Sequence, residues 1–297
     1  MAGDEDEVRD SDVADFLQVR PQLFGIAYRM LGSVAAAEDI VQDAWIRWQG
    51  ANRREVQNPA AFLTTTTTRL ALTAATSARA RRETYVGPWL PEPVDTSDDP
   101  ALGAERAEAL DLAVLLLLEK LSPAERAVYV LHEAFDYSYR HIGEILEITE
   151  VNARQLARRA RQALESGRSA PAPPAVRRQL VETFVAAARN GDLEELERLF
   201  THDAVARADG GGKVHASKVE LHGSERVVLF LDNILRKYWH AATFTVVDIN
   251  GGAGVLVADG AGAPLAILAL DATERGVERV FFVVNPDKMR RFAPPAR

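Results

Sequence analysis

Cysteine is absent from this chain of 297 residues. That excludes disulfide staples, thiolate nucleophiles and cysteine-held metals. The opening Met1-Ala2-Gly3-Asp4-Glu5-Asp6-Glu7 is acidic and has no apolar stretch, so no secretory signal is expected there. Long hydrophobic runs are missing too. The longest aliphatic run, Leu112–Leu118, is far shorter than the roughly 20 residues of a membrane helix. No membrane contact is expected, and the cytoplasm is the expected compartment. Hydrophobic content of 47% with 26% charged residues fits a globular protein, and the length allows two or three domains.

Acids are missing from two stretches. Between Glu55 and Glu83 the charged residues are Arg69, Arg79, Arg81 and Arg82, and no acid lies between Glu150 and Glu165. Glu92–Glu119 is the reverse, with Arg106 as its one base. A net charge of −8 argues against indiscriminate nucleic-acid binding. Two basic islands around an acidic spacer instead suit a chain that touches DNA at two separate places.

The second island lies in a helix-turn-helix pattern, Ser122–Glu165. Ser122-Pro123-Ala124-Glu125 is a helix start with a capping-box acid. Ala127, Val128, Leu131, Ala134 and Phe135 continue it as an apolar stripe. A short helix follows over Tyr139–Leu146, and Thr149 caps a third. On that third helix Ala153, Leu156, Ala157, Ala160 and Leu164 form one face. Arg154, Arg158 and Arg161, with Arg159 beside them, lie on another. A helix seated by its apolar side and carrying arginines on the other fits a major groove; the alternative is a solvated helix of a bundle.

Upstream, residues 1–10 read as a disordered tail. Phe16 to Leu31 has helical spacing, with Pro21 as a divider between two helices. Val34, Ala37, Ile40, Val41, Ala44, Trp45 and Trp48 form a strong stripe, and Asn58-Pro59 opens a long helix to about Arg82. Thr64–Thr68 is a poor helix former. Its hydroxyls either face a nucleic-acid strand, with Phe62 or Tyr85 as stacking surface, or bond back to their own carbonyls. Tyr85–Pro93 has three prolines and large side chains, the mark of an extended segment that docks. Asp95–Pro100 reads as plain acidic linker, and Leu102–Leu121 as a helix.

A second linker, Gly167–Pro174, precedes a change in composition. Ala175–Arg189, Leu193–Phe200 and Ser224–Tyr238 read as helices. Phe244–Ile249, Gly254–Ala258, Leu265–Leu270 and Val277–Val284 read as strands. Helices before a curved antiparallel sheet predict an α+β cone. Acids and bases are equal in number over residues 171–297, which gives no sign of nucleic-acid binding. Asp209, Lys213, His215, Trp239 and His240 are candidates to line a cavity, where a carboxylate beside a histidine would suit a general base; alternatively Asp209 and Lys213 pair across the Gly210–Gly212 turn.

Leu23-Phe24-Gly25-Ile26-Ala27-Tyr28-Arg29-Met30-Leu31-Gly32 and Glu38-Asp39-Ile40-Val41-Gln42-Asp43-Ala44-Trp45 resemble region 2 of bacterial sigma factors of the extracytoplasmic-function (ECF) type. The helix-turn-helix resembles region 4 of the same family. The resemblance spans about residues 12–166. It implies a surface for core RNA polymerase at Asp39, Gln42 and Asp43. It implies −10 promoter contacts from Asn58, Phe62, Arg69, Arg79, Arg81 and Arg82, and −35 contacts from Asn152, Arg154, Gln155, Arg158 and Arg159. Leu72-Thr73-Ala74-Ala75-Thr76 departs from the family's Leu-Asp-x-Leu-Arg pattern, which removes an acid and a base from the melting helix and bears on promoter preference. Tyr85–Pro93, Asp209-Gly210-Gly211-Gly212-Lys213 and Asn285-Pro286-Asp287-Lys288 resemble a subgroup with a fused SnoaL-like (NTF2-like) C-terminal domain. That implies an intramolecular regulatory contact between the C-terminal domain and the linker, made by Trp89, Leu90 and Pro91 with Asp209, Gly210, Gly211, Gly212, Lys213, Asn285, Asp287 and Lys288.

The expected architecture is multidomain: two all-α sigma domains, then an α+β NTF2-like cone. Region 2 would occupy residues 1–84, a linker 85–101, region 4 residues 102–168, a second linker 169–174 and the regulatory domain 175–297. The implied partners are core RNA polymerase and promoter DNA, with a small-molecule ligand a candidate for the cone. No catalytic residue, cofactor or metal is called for. Two rival readings are a one-component helix-turn-helix regulator with a ligand-sensing domain, which leaves Leu23–Trp45 unexplained, and an NTF2-like enzyme with a DNA-binding appendage.

Overall fold

The computed structural model describes residues 2–52, 55–97, 111–167 and 170–293, with backbone alone over 2–12. Its residues gather into two compact units. One holds 2–81 and 117–166; the other holds 82–97, 111–116 and 167–293.

The first unit is helical. Helix α1 runs Ala2–Leu31 and α2 runs Val34–Gln49. Pro21 lies inside α1, so one helix replaces the expected pair, and the acidic tail extends it instead of being irregular. Ser33 caps α2 by accepting from the Ala36 amide at 3.3 Å. Helix α3 spans Pro59–Glu83, with Asn58 Oδ1 accepting from the Ala61 amide at 3.0 Å. Tyr28, Trp48, Leu23, Ile26, Met30, Leu31 and Leu63 are fully buried and make the core of these helices.

Helix α4, Leu112–Leu118, follows; the rest of the helix expected over Leu102–Leu121 lies in part outside the described residues. Helix α5, Pro123–Tyr129, opens with the expected capping box: Glu125 N donates to Ser122 Oγ at 3.3 Å, and Ser122 N donates to Glu125 Oε2 at 3.0 Å. The predicted stripe to Phe135 does not stay α-helical. It widens to a π-helical turn over Val130–Ala134 and ends at Asp136, with φ of 57°. Helices α6 (Tyr139–Leu146) and α7 (Glu150–Glu165) flank a turn with Glu147 in the left-handed region, and Thr149 caps α7.

The second unit is α+β. Helices α8 (Pro174–Asn190), α9 (Leu193–Leu199) and α10 (Ser224–Lys237) pack on a sheet of six strands. The strands are β1 (Phe200–Asp209), β2 (Leu221–His222), β3 (Thr243–Ile249), β4 (Gly252–Ala258), β5 (Pro264–Thr273) and β6 (Gly276–Val283), in the order β2-β1-β6-β5-β4-β3. The sheet is mixed, not antiparallel as expected, because β1 pairs with β6 in parallel. β1 gave no strand signal: its His202, Asp203 and Arg207 interrupt the apolar pattern, and its pairing with β6 is long-range.

Alternation gives this sheet two dry faces. Ala204, Ala206, Ala208, Val255, Val257, Leu268, Val280 and Phe282 face the helices. Ile249, Ile267, Phe281 and Val283 form the other core with Leu90, Leu112, Ala113 and Met289. The linker is thus a layer of the domain. Beyond Leu90, Val94 N donates to Asn250 Oδ1 at 3.0 Å, Asn250 N donates to Val94 O at 2.9 Å, and Thr96 N donates to Asp248 O at 3.0 Å. Asp95 and Thr96 therefore extend the sheet at β3, where the charge pattern had suggested idle linker.

Candidate nucleic-acid interface and linker clamp

Helix α7 buries Ala153, Ala157, Ala160 and Leu164 and turns its other side to water. Asn152, Arg154, Gln155, Arg158 and Arg159 are all exposed there. Arg154 pairs with Glu150 one turn back, and its guanidinium lies 5.5 Å from the Tyr139 ring centre. Arg158, Arg159 and Gln155 carry no side-chain partner among the described residues. Arg161 does not join them. Its Nε donates to Glu133 at 2.8 Å and its Nη2 to Tyr139 Oη at 2.9 Å, and these bonds raise its pKa further. So the fourth arginine of the pattern pins α7 to the preceding helices.

On α2, Asp39, Gln42 and Asp43 are exposed at i, i+3 and i+4, opposite the buried Val34, Ala37, Ile40, Val41, Ala44 and Trp48. They form one polar strip on the helix.

Helix α3 is less open. Thr64, Thr67 and Thr68 are buried, so the five threonines do not form one DNA-facing row. Thr64 accepts from Tyr137 Oη at 3.2 Å, and the hydroxyls of Thr67 and Thr68 have no partner among the described residues. Neither expected role, strand contact or back-bonding, describes these three. Thr65 and Thr66 do line a cleft of about 430 Å³ with Arg47, Ala61, Phe62 and Arg69. Phe62 leans on Trp48, ring centres 5.6 Å apart. Asn58 is the helix cap. Arg79 and Arg81 are exposed. Arg69 bonds within the unit: Nε donates to Ile145 O at 2.8 Å and Nη1 pairs with Glu147 at 3.0 Å. It thereby satisfies the carbonyl end of α6. Arg126 of α5, buried where sequence gave no sign of it, ties α1 to the end of α4. Its Nη1 donates to Met30 O and to Glu119, each at 2.6 Å, and Nε donates to Leu118 O at 2.9 Å. Burial, then the nearby Arg79 charge, bring its pKa down to about 10.

In the second unit the linker closes around Asp209. This carboxylate is fully buried. Its Oδ1 accepts from Tyr85 Oη at 2.6 Å and Gly211 N at 3.0 Å; its Oδ2 accepts from Leu90 N at 2.8 Å and Lys288 Nζ at 2.7 Å. All four acceptor positions of a carboxylate are used. Lys288 also donates to Leu90 O, and its ammonium lies 4.5 Å from the Trp89 ring centre. Burial pulls the Lys288 pKa down, and Asp209 opposes that pull. Tyr85 is held protonated, its pKa raised first by burial and then by donation to Asp209, while Asn285 Nδ2 donates to the same hydroxyl at 3.0 Å. Arg82 covers the outer face of Trp89 at 3.6 Å.

Asp209 and Lys213 do not pair across their turn. Lys213 pairs with Asp287, and these bonds with Lys213 and Arg290 hold the Asp287 pKa below its usual range. Gly211 has φ of 60°, and a Cβ there would sit 2.2 Å from Asn285 Nδ2. Gly212, with φ of 70°, lies against Val86. Gly210 would bring a Cβ to 2.7 Å from Val214 O. Pro91 is buried beside Leu90. The linker's far anchor at Asn250 went unread; its signal is the Asn250-Gly251-Gly252 turn, with φ of 51° at Asn250.

The expected cavity exists, with different walls. His215 and Trp239 line a space of about 470 Å³. Asp209 faces the opposite side of the sheet, and Lys213 and His240 do not line the space, so these residues do not assemble a carboxylate–histidine base in it. Among the described residues no group of three or more His, Asp or Glu is placed to hold a metal ion, and no helix is long and apolar enough to cross a membrane.

Sequence comparison matches residues 16–81 to Sigma-70 region 2 and residues 111–164 to Sigma-70, region 4. The chain is 35% identical over 291 residues to the ECF RNA polymerase sigma factor SigJ of Mycobacterium tuberculosis, covering 93% of each chain. It is 32% identical over 275 residues to the probable ECF RNA polymerase sigma factor SigI of the same organism, covering 91% of this chain and 92% of SigI. The crystal structure of Mycobacterium tuberculosis SigJ aligns with a TM-score of 0.76 at 33% identity, over 96% of this chain and all of SigJ.

Proposed function

This chain belongs to the ECF RNA polymerase sigma factors, transcription initiation factors, and from that premise we propose how its surfaces divide the work and how its C-terminal SnoaL-like domain regulates it in cis. The strip Asp39, Gln42 and Asp43 docks on core RNA polymerase. Arg158, Arg159, Gln155 and Asn152 read the −35 major groove, with Arg154 released from Glu150. Each bidentate base contact discriminates by about 1–3 kcal/mol. The cleft of Phe62, Thr65, Thr66 and Arg69 receives −10 DNA. A flipped base costs a few kcal/mol to unstack, and an aromatic wall with hydroxyls and a guanidinium offsets that. Arg79, Arg81 and Arg82 hold phosphates beside it.

Two features describe a restrained state. The names of the two promoter elements set them roughly 25 base pairs apart, about 80 Å of duplex at about 3.4 Å per pair. Arg69 of α3, meanwhile, sits 2.8 Å from a carbonyl of α6, so reading both elements requires α3 and the helix-turn-helix to part. Arg82, one of the −10 cations, is stacked on Trp89 of the docked linker. The observation that carries the cis-regulatory reading is the fourfold-satisfied Asp209, which ties that linker to the domain's sheet.

Run-off transcription with purified core RNA polymerase on supercoiled promoter templates tests it. The wild-type chain is expected to start transcripts at defined sites. Full-length Asp209→Asn is expected to start more from the same sites. No transcripts from either chain would remove the assignment of the polymerase strip. Equal output from both would remove the restraint.

A further inference from the structure

The 470 Å³ cavity and the linker clamp share walls. On β1 the neighbours Ala208 and Asp209 point opposite ways, Ala208 into the cavity and Asp209 into the clamp. After β6 the same split recurs: Val284 lines the cavity, and Asn285 bonds Tyr85. The loop Gly210–Lys218 closes the wall between them. Its Val214, His215, Ala216 and Ser217 line the cavity. Its outer side carries the linker, Gly212 against Val86, and Ser217 and Lys218 against Gly87.

The lining defines a ligand chemistry. Trp239, Phe282 and Ala208 are buried, and with Phe230 and Leu265 they give an apolar interior of rings and aliphatic groups. His215, Asn233 and Tyr238 are exposed at the opening. His215 and Asn233 have no side-chain hydrogen bond among the described residues, so they are available to one polar group. Among the described residues no charged side chain lines the space, and burying an unpaired charge there would be costly. The volume lies in the range of about 300–1,000 Å³ usual for small-molecule sites.

We infer that this cavity binds a neutral, ring-bearing, mainly apolar small molecule with one hydrogen-bonding group, and that its occupancy is transmitted to the linker through the Gly210–Lys218 loop. The inference rests on the cis-regulatory reading above and names its signal class. A ligand filling the cavity presses on Val214–Ser217, and among the described residues that loop is backed by the linker segment Val86–Gly87, the Asp209 and Asn285 bonds and the Lys213–Asp287 pair.

The test uses the full chain labelled with 5-fluorotryptophan, whose four tryptophans are assigned by Trp→Phe replacements. Trp239 reports the cavity and Trp89 the clamp. The compound used is 2-naphthol, two fused rings with one hydroxyl; naphthalene-2-sulfonate supplies the same rings with a charge. The expected result is a saturable shift of Trp239 and Trp89 together with 2-naphthol, with binding about tenfold weaker for the sulfonate and for the cavity-filling Leu265→Phe. Asp209→Asn should keep the Trp239 shift and lose the Trp89 shift. A Trp239 shift without Trp89 would overturn the coupling. No Trp239 shift, or equal binding of the sulfonate or by Leu265→Phe, would overturn the site. None of these outcomes depends on transcription, so they are separable from a failure of the cis-regulatory reading.

Discussion

The two arginine-bearing helices of the sigma regions stand in opposite states. Helix α7 holds Arg158 and Arg159 in water, with its apolar face fixed by Arg161 and a buried alanine stripe. Helix α3 has two of its four cations engaged by other parts of the protein: Arg69 caps α6, and Arg82 stacks on Trp89 beside Lys288, while Arg79 and Arg81 are exposed. In the proposed division of work, the difference follows from what each kind of DNA would require. Duplex can be read by a surface that is already complete. Melted DNA must meet a surface that is withheld until strands separate, and intramolecular bonds to the same cations are a simple way to withhold it.

The largest expected effect lies in the clamp. Lys288→Met leaves the Asp209 carboxylate buried without its counter-charge, which destabilises by about 3–5 kcal/mol. Exchange of the Leu90 amide, measured by hydrogen–deuterium exchange, should accelerate by several orders of magnitude, while −35 duplex affinity stays unchanged. A protected Leu90 amide in this variant would show that the linker is held by its apolar contacts instead.

Next comes the open helix. Arg158→Ala should weaken −35 duplex binding by about 1–3 kcal/mol and reduce its salt slope by about one, with no change in the thermal unfolding midpoint. A lowered midpoint would mean that Arg158 is structural like Arg161, and the contrast between helices would narrow.

Glu147→Ala tests the engaged helix. The Arg69–Glu147 pair is exposed, so its loss costs at most about 1 kcal/mol of stability. Binding of single-stranded −10 DNA should rise by a factor of a few. Unchanged binding would mean that the Ile145 and Glu144 carbonyls retain Arg69 without Glu147.

The smallest effect is set by pH. The Tyr85 pKa is raised above its ordinary value of 10.0. Stability from this raised group is whole below pH 10.0 and lost as pH climbs through the folded value. A spectrophotometric titration should show one tyrosine ionising later than the others, and Tyr85→Phe should remove that late phase.

Much of the first unit was legible because its signals are local. The Ser122–Glu125 box, the Thr149 cap and the 3.6-residue stripes of α2 and α7 each lie within a few residues, where backbone geometry is decided. Pro21 misled because a proline inside a long helix breaks one hydrogen bond but does not force a stop. The threonine run misled because propensity says nothing of which side is buried. The second unit yielded its helices and four strands, but neither the two-residue β2 nor β1, whose partner β6 is more than 70 residues away.

By itself the sequence determined the family motifs, the order of the regions, the recognition helix with its arginines, and the segments of linker, Asp209–Lys213 and Asn285–Lys288 that belong together. Only the tertiary structure decided the pairing among them. Asp209 takes Lys288 and Lys213 takes Asp287, the reverse of the nearest-neighbour guess. It also decided which arginines face water and that Ala208 and Asp209 serve opposite faces of one sheet. The physical reason is that a charge on a side chain is visible in sequence, whereas its partner is fixed by long-range register. A shift of one residue along β1 would exchange cavity and clamp.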